Sequence, residues 1–252
     1  NLTTLDRVIG AQDERGLRKA SSLYAKIVLG ALHGTDWVSA EITKTAENAY
    51  RDVQIAFANE VALICEELGA NAYRVRELVN TCPGRDMLIP GAGVGGHCIP
   101  KDPWLLVSPV IHQKPVLIPT AREVNDFMPV RMAQLVEEAM REAGRRIRNS
   151  RVAVLGFAYR ENTDDARNSP TIPLIRELRR RGADVAIHDP FAKSLRGFTV
   201  TRDLKTAVKG ADCVALVTAH DAYRKLDLGK LKRWMRHRAI VDGRNVFDGS
   251  VI

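Results

Sequence analysis

Little in this sequence marks a secreted, membrane or metal-knuckle protein. Four cysteines stand among its 252 residues, Cys65, Cys82, Cys98 and Cys213. No two have C-x-x-C spacing, which excludes a zinc knuckle and a disulfide-stapled scaffold, and no metal site is expected. No apolar run approaches the ~20 residues needed to cross a bilayer, and the opening residues carry no signal-peptide pattern. A soluble protein of the reducing cytoplasm, without a membrane partner, is the expectation. Aromatics are scarce, at 6%, while the formal charge is +8. Much of that excess sits in Arg145-Arg146-Ile147-Arg148, in Arg179-Arg180-Arg181 and in Lys230 to Arg238, where helices or their ends are expected. Solvated helix faces and steering of a small anionic substrate account for it better than a nucleic-acid partner does.

What is present falls into three segments. Residues 1–38 give a short strand signal at Arg7-Val8-Ile9, a helical pattern from Asp13 to Leu29 and a second short segment from Ala31 to Trp37. Such a piece cannot close a core alone, and it reads as the last α/β unit of a domain whose beginning is absent. Residues 39–145 are helical. From Ser39 to Leu68 there is no Pro or Gly, and Ile42, Ala46, Ala49, Val53, Phe57, Val61, Ile64 and Leu68 fall at spacings of three and four. That predicts one long helix with Ser39 as N-cap and Gly69 as its stop. Further helices are predicted over Ala72 to Thr81 and over Thr120 to Ala143, the latter kinked at Pro129. After the polar link Gly144 to Ser150, residues 146–252 alternate strands with helices: Val152 to Leu155, Pro170 to Arg181, Asp184 to His188, Leu204 to Lys209, Cys213 to Thr218, Leu228 to Trp234 and Ala239 to Val241. The fold class is α/β: a helical centre followed by a Rossmann-like parallel domain, which binds ligands beyond the carboxyl ends of its strands.

The chemistry concentrates between the helices, from Pro90 to Trp104. Four glycines, Gly91, Gly93, Gly95 and Gly96, let the backbone approach a ligand closely, a freedom with an entropic cost that a plain linker rarely needs. Asp102 followed by Pro103 reads as an N-cap followed by the first helical residue, which places Cys98 just ahead of a helix N-terminus with Lys101 beside it. Both features favour the thiolate, the nucleophilic form. Cys65 and Cys213, inside a helix and a strand, read instead as small buried hydrophobes. Gly91-Ala92-Gly93 has no strand before it and no helix opening on its last glycine, so it is not a dinucleotide loop, and Gly156 is not followed by G-x-x-G either. Lys44 and Asn48 stand one helical turn apart and project side by side; on spacing alone they are a solvated pair.

Gly95-Gly96-His97-Cys98-x-Pro100-Lys101-Asp102 resembles the active-site loop of the UDP-glucose/GDP-mannose 6-dehydrogenase family. The likeness runs the length of the chain. It includes Asp6-Arg7-Val8-Ile9-Gly10, Ala40-Glu41 through Lys44 and Asn48 to Asn59-Glu60, Gly156-Phe157-Ala158-Tyr159, Asp165-x-Arg167-x-Ser169-Pro170, Asp189-Pro190 and Asp242-Gly243-Arg244. The resemblance implies NAD as cofactor, a UDP-sugar as substrate, a homodimer formed through the long helix, and an NAD-binding domain ahead of these motifs. It also implies roles. Cys98 is the nucleophile, Lys44 and Asn48 steady the oxyanion, and Asp102 orients water in addition to capping its helix. Gly95, Gly96, Arg160 and Arg244 meet the substrate, with Arg160 standing where a Lys is usual. Arg85 reaches the neighbouring subunit's sugar site, and Lys101 and Arg167 meet NAD. His97 before the cysteine looks more like the UDP-N-acetylhexosamine enzymes, and UDP-N-acetylmannosamine is the expected sugar, with UDP-glucose as the alternative. Two other readings stay open: a two-electron dehydrogenase of the 6-phosphogluconate type, which also uses a Lys/Asn helix pair, and a non-catalytic UDP-sugar-binding and dimerising piece. Without an NAD domain the isolated chain is expected to show no turnover.

Overall fold

The computed structural model describes residues 2–247. Its first unit is a parallel strand pair, β1 (Arg7–Ala11) and β2 (Leu32–Asp36), in register from Arg7 opposite Leu32 to Ala11 opposite Asp36. Helix α1 (Glu14–Tyr24) connects them and is started by Asp13, whose carboxylate accepts the Gly16 N–H at 2.6 Å. It ends at Tyr24 rather than Leu29. No residue of α1 is buried, so no tertiary packing carries the helix further.

Strand β2 runs straight into α2 (Trp37–Leu68). Asp36, not Ser39, is the N-cap: its carboxylate accepts the Ser39 N–H at 2.8 Å, so the helix crosses the boundary expected between residues 38 and 39. Gly69 ends it as predicted, at φ 70°, a conformation glycine adopts without a Cβ penalty. The side chains α2 buries are small or polar, among them Ala49, Asp52, Ala56, Asn59 and Ala62. The bulky members of its apolar stripe, Ile42, Phe57, Ile64 and Leu68, are exposed. Two short helices follow, α3 (Ala72–Val79), capped by Asn71, and α4 (Asp102–Val107). Asp102 is the first residue of α4 and not its cap. Lys101 holds that position without a side-chain cap bond, because the Asp102 carboxylate is turned to other partners.

Helix α5 (Leu117–Glu142), with Pro129 inside it, ties the two halves together. Its first part packs on α2 and buries Arg122, Asn125 and Met128; its second part puts Met132, Ala133, Val136 and Met140 into the core of the C-terminal sheet. That sheet is built from β3 (Arg151–Leu155), α6 (Thr171–Arg180), β4 (Asp184–His188), β5 (Val200–Thr201), α7 (Leu204–Val208), β6 (Cys213–Leu216), α8 (Asp221–Arg224), α9 (Leu228–Trp234) and β7 (Ala239–Asp242). Its strands are all parallel, in the order β5-β4-β3-β6-β7, so the winding reverses between β3 and β6. Leu174, Ile175 and Leu178 cover one face, Tyr223, Leu231 and Met235 the other. Burial on both faces is why β3 and β6 read as unbroken apolar runs. Strand β5 and helix α8 are too short to show a period, and they escape a reading by pattern. Cys65 and Cys213 are buried, as expected. No helix among the described residues is long and apolar enough to cross a membrane.

Candidate active site

The irregular chain between α3 and α4 lies against both halves of the molecule. Gly96 donates its N–H to the Arg167 carbonyl at 2.9 Å, and Asn168 Nδ2 donates to the Gly96 carbonyl at 3.0 Å. A Cβ on Gly95 would sit 2.5 Å from Tyr159 Cβ and 2.8 Å from the Asn168 carbonyl oxygen. Only glycine fits so close to another backbone. Of the loop's four glycines, Gly95 and Gly96 therefore serve docking onto the turn after β3, where their missing Cβ atoms make room for Tyr159.

That turn is held from behind by a buried carboxylate. Asp189 accepts the Phe157 and Ala158 N–H groups at 2.6 and 2.8 Å and the His220 Nε2–H at 3.1 Å. His220 Nδ1 in turn accepts the Asn162 N–H at 2.8 Å. Burial alone would raise the Asp189 pKa, but His220 and the backbone donors outweigh it and hold the carboxyl well below its ordinary 3.8. A depressed folded-state pKa stabilises the fold fully above the unfolded value and loses that contribution as pH falls through the folded one. Urea unfolding followed from about pH 5 to about pH 3 should therefore show a shallower loss of stability in Asp189→Asn than in the wild type. Parallel curves would remove Asp189 from the acid response.

Cys98 is exposed. Its carbonyl accepts the Lys101 and Asp102 N–H groups at 3.0 and 2.8 Å, leading into α4. Asp102 accepts Asn48 Nδ2 at 2.6 Å and Lys101 Nζ at 2.8 Å. Burial pushes the Asp102 pKa up, yet the hydrogen bonds from Lys101 and Asn48 and the charges of Lys101 and Lys44 bring it below the usual carboxylate value. Asp102 is thus an anion at neutral pH that holds Asn48 in place. Lys44 differs from expectation. Its Nζ pairs with exposed Glu47 at 3.0 Å instead of converging with the Asn48 amide, although its charge still reaches Asp102. Arg167 grips Asp165 at 2.6 Å and is two-thirds exposed; Asp165 chiefly, then the charges of Tyr159 and Cys98, raise its pKa.

A cleft of about 500 Å³ opens between α2, the glycine loop and the carboxyl ends of β3, β6 and β7. It lies at the point where the sheet's winding reverses, the usual ligand position in such sheets. Arg51, Arg76, Arg160, Arg224 and Arg244 line it, against a single carboxylate, Glu161, which already pairs with Arg224 at 3.4 Å. Arg51, Arg76 and Arg160 have no carboxylate partner among the described residues, and Arg76 Nε is buried without an acceptor. Leaving a buried cationic donor such as Arg76 Nε unmet is costly, and Arg51 and Arg160 are exposed cations at its side, so the cleft suits an anion, phosphate above all for guanidinium forks. Arg244 donates from Nε to the Val217 carbonyl at 2.7 Å and lies so close to Gly91 that a Cβ there would be 3.0 Å from its Cζ. Burial pushes the Arg244 pKa below its ordinary value, against the pull of Tyr73, Glu161 and Asp242.

Of the residues expected at the site, Cys98, Asn48, Asp102 and Lys101 come together, with Lys44 and Arg167 beside them and Gly95 and Gly96 shaping the loop. Arg160 and Arg244 line the cleft. Arg85 does not. It is exposed, and its side chain reaches only the Pro83 carbonyl, at 3.4 Å. Arg51, Arg76, Arg224, Tyr159 and Asn168 belong to the site and were not anticipated. A signal existed for Arg51, since Lys44, Asn48, Arg51, Ile55 and Asn59 share one face of α2 at spacings of three and four. Arg76 and Arg224 are brought in only by tertiary structure.

Residues 38–127 match the central domain of the UDP-glucose/GDP-mannose dehydrogenase family, and residues 153–249 match its UDP binding domain. The chain belongs to that family. It is similar to the UDP-N-acetyl-D-mannosamine dehydrogenase of Pyrococcus horikoshii, with 39% identity over 241 residues that cover 95% of this chain and 56% of that protein. The structure of the Pyrococcus horikoshii enzyme superposes with a TM-score of 0.91 at 37% identity, covering 98% of this chain and 58% of that one. The NDP-N-acetyl-D-galactosaminuronic acid dehydrogenase of Methanosarcina mazei superposes with the same score at 36% identity, covering 98% of this chain and 55% of that one. This chain thus spans a little over half the length of the family members it matches.

Proposed function

We propose that this chain is the cysteine-bearing and nucleotide-sugar-binding part of an NAD-dependent 6-dehydrogenase that oxidises UDP-N-acetylmannosamine to its uronic acid, a four-electron change at one carbon. The observation that carries the reading is the continuity of two features. An exposed cysteine, flanked by an Asn–Asp–Lys cluster, shares its loop with a cleft whose unneutralised arginines suit a diphosphate. The sugar assignment rests on the names of the relatives and on His97.

Cys98 sulfur adds to the C6 aldehyde carbon, forming a C–S bond and a thiohemiacetal. A thioester in its place is opened by water, which breaks the C–S bond, releases the Cys98 thiol and leaves the carboxylate. Asn48 donates to the oxyanion of each tetrahedral centre, Lys44 supplies positive charge beside it, and anionic Asp102 orients the attacking water. When bound, NAD+ accepts one hydride from the C6 alcohol and a second from the thiohemiacetal. Arg167 and Lys101, cations on either side of Cys98, fit its phosphates. The exposed Ile42, Phe57, Ile64 and Leu68 face of α2 suits a second copy of the chain, which supports the homodimer reading.

The test counts NADH. With UDP-N-acetylmannosamine and NAD+, the enzyme should form two NADH per sugar consumed; one would place it with the two-electron dehydrogenases, and none, with UDP still bound, would leave a binding module. For the chain by itself, calorimetric titration with UDP tests the cleft. Arg76→Met removes a charged donor worth about 1.5–3 kcal/mol, so UDP affinity should fall about 10- to 100-fold. Unchanged affinity would put the nucleotide elsewhere.

A further inference from the structure

Behind the cleft runs a chain of four polar side chains, each 1% exposed or less: Asp52, Asn59, Arg122 and Asn125. Arg122 Nη1 donates to Asp52 Oδ1 at 2.6 Å. Asn125 Nδ2 donates to the same oxygen at 2.8 Å and to the Asp52 carbonyl at 2.9 Å. Asn59 Nδ2 donates to Asn125 Oδ1 at 2.9 Å, and Asn59 Oδ1 accepts the Gly91 N–H, also at 2.9 Å.

The direction of this chain is forced. Asp52 offers only acceptors, so Asn125 must turn its NH2 toward it and its oxygen away. That oxygen demands a donor, so Asn59 must turn its NH2 inward and its oxygen outward. The outward oxygen meets Gly91, the residue whose missing Cβ leaves room for the Arg244 guanidinium. Two residues further along the loop, the Gly93 carbonyl lies 3.5 Å from Arg244 Nη2. Asn59 and Gly91 both line the cleft, whereas Asn125 does not.

We propose that Asn59 is a positioning residue for nucleotide-sugar binding. The buried Arg122–Asp52 pair polarises Asn125 and Asn59 in series, and the end of the series pins the Gly91 backbone so that Arg244 faces the ligand's diphosphate. The proposal rests on the UDP-sugar reading of the cleft. It adds a function for a polar network that a helix pair does not need for packing: burying these groups is costly, and Asp52 Oδ2 is left without a hydrogen-bond partner among the described residues.

A double-mutant cycle on UDP affinity separates this role from general support of the fold. Asn59→Ala should weaken UDP binding about tenfold, and Arg244→Ala about 10- to 100-fold. If Asn59 acts through Arg244, adding Asn59→Ala to Arg244→Ala should cost no more than a further factor of about two. Losses that multiply would overturn the proposal, because a merely structural residue leaves the cycle additive. Should Asn59→Ala fail to fold, Asn125→Ala takes its place. It lies outside the cleft, yet it should lower UDP affinity severalfold, and that loss should vanish in the Arg244→Ala background. Wild-type affinity in a folded Asn125→Ala protein would equally sink the relay. Absence of UDP binding in the wild type would instead bring down the cleft reading, and the relay's ligand role with it.

Discussion

In an enzyme that joins this chain to an NAD-binding domain, replacing Cys98 with Ala is expected to lower uronate formation from UDP-N-acetylmannosamine by about 10⁴-fold or more, the scale on which removal of a covalent nucleophile acts. UDP affinity should stay within about twofold, because the arginines proposed to hold the phosphates stand along the cleft and none of them hydrogen-bonds to Cys98. The expectation rests on position. Cys98 is exposed, its carbonyl is fixed by the first N–H groups of α4, and Asn48 and Lys101 are both held on Asp102 beside it. Without a sulfur to hold the C6 carbon as a thiohemiacetal, the carbonyl offers no tetrahedral centre from which a second hydride leaves. The sugar should then stall after the first oxidation. The measurement is uronate released per enzyme, followed by chromatography, alongside UDP titration of the same variant. Uronate release at the wild-type rate would strip Cys98 of the nucleophile's role and leave it a loop residue.

How far residue pattern alone reaches is clearest around that loop and in α2. The glycine spacing, the cysteine and Asp102-Pro103 are all local signals, and they mark the candidate site without help from the fold. What Asp102 does with its carboxylate was not local. An aspartate ahead of a proline reads as a cap, but an amide 54 residues away in sequence competes for the same oxygens, and Asn48 wins at 2.6 Å. Helix α2 was legible in extent, because nothing interrupts its period and Gly69 has no rival as a stop. Its start lies earlier than the Ser39 cap expected, because the strand that leads into it delivers Asp36 to the capping position. Which face it buries was also beyond the pattern. Its strongest apolar stripe points outward, while the face against α5 is alanine, aspartate and asparagine, so periodicity identified the helix but not the side on which its own chain lies. The cleft's unforeseen cations follow the same logic. Arg51 shares a helical face with Lys44 and Asn48, expected at the site, whereas Arg76 and Arg224 reach the cleft from α3 and α8, elements that no sequence spacing connects to it.

Asp52→Ala is expected to cost about 3 kcal/mol of stability, a large part of the roughly 5–15 kcal/mol available to a domain. Asp52 is fully buried, and burial raises its pKa against the pull of Arg122 and Asn125. Its substitution strands the Arg122 guanidinium, 1% exposed, and removes Asp52 Oδ1, the one oxygen that accepts from both Arg122 and Asn125. The loss should fall at the low end of the range of about 3–5 kcal/mol for a broken buried pair. The reason is that Arg122 keeps a second anion, Asp126, at 2.5 Å, and that carboxylate is largely in solvent. The decisive comparison is with the double variant Asp52→Ala/Arg122→Met. A lone buried charge is worse than no charge, so removing the arginine as well should restore part of what the single substitution lost, although it deletes more of the native network. Urea unfolding of the three proteins reads this directly. If the double variant were less stable than the single one by the full cost of a second core substitution, the pair would be held by packing and not by electrostatics. The series proposed to orient Asn59 would then have no charged origin.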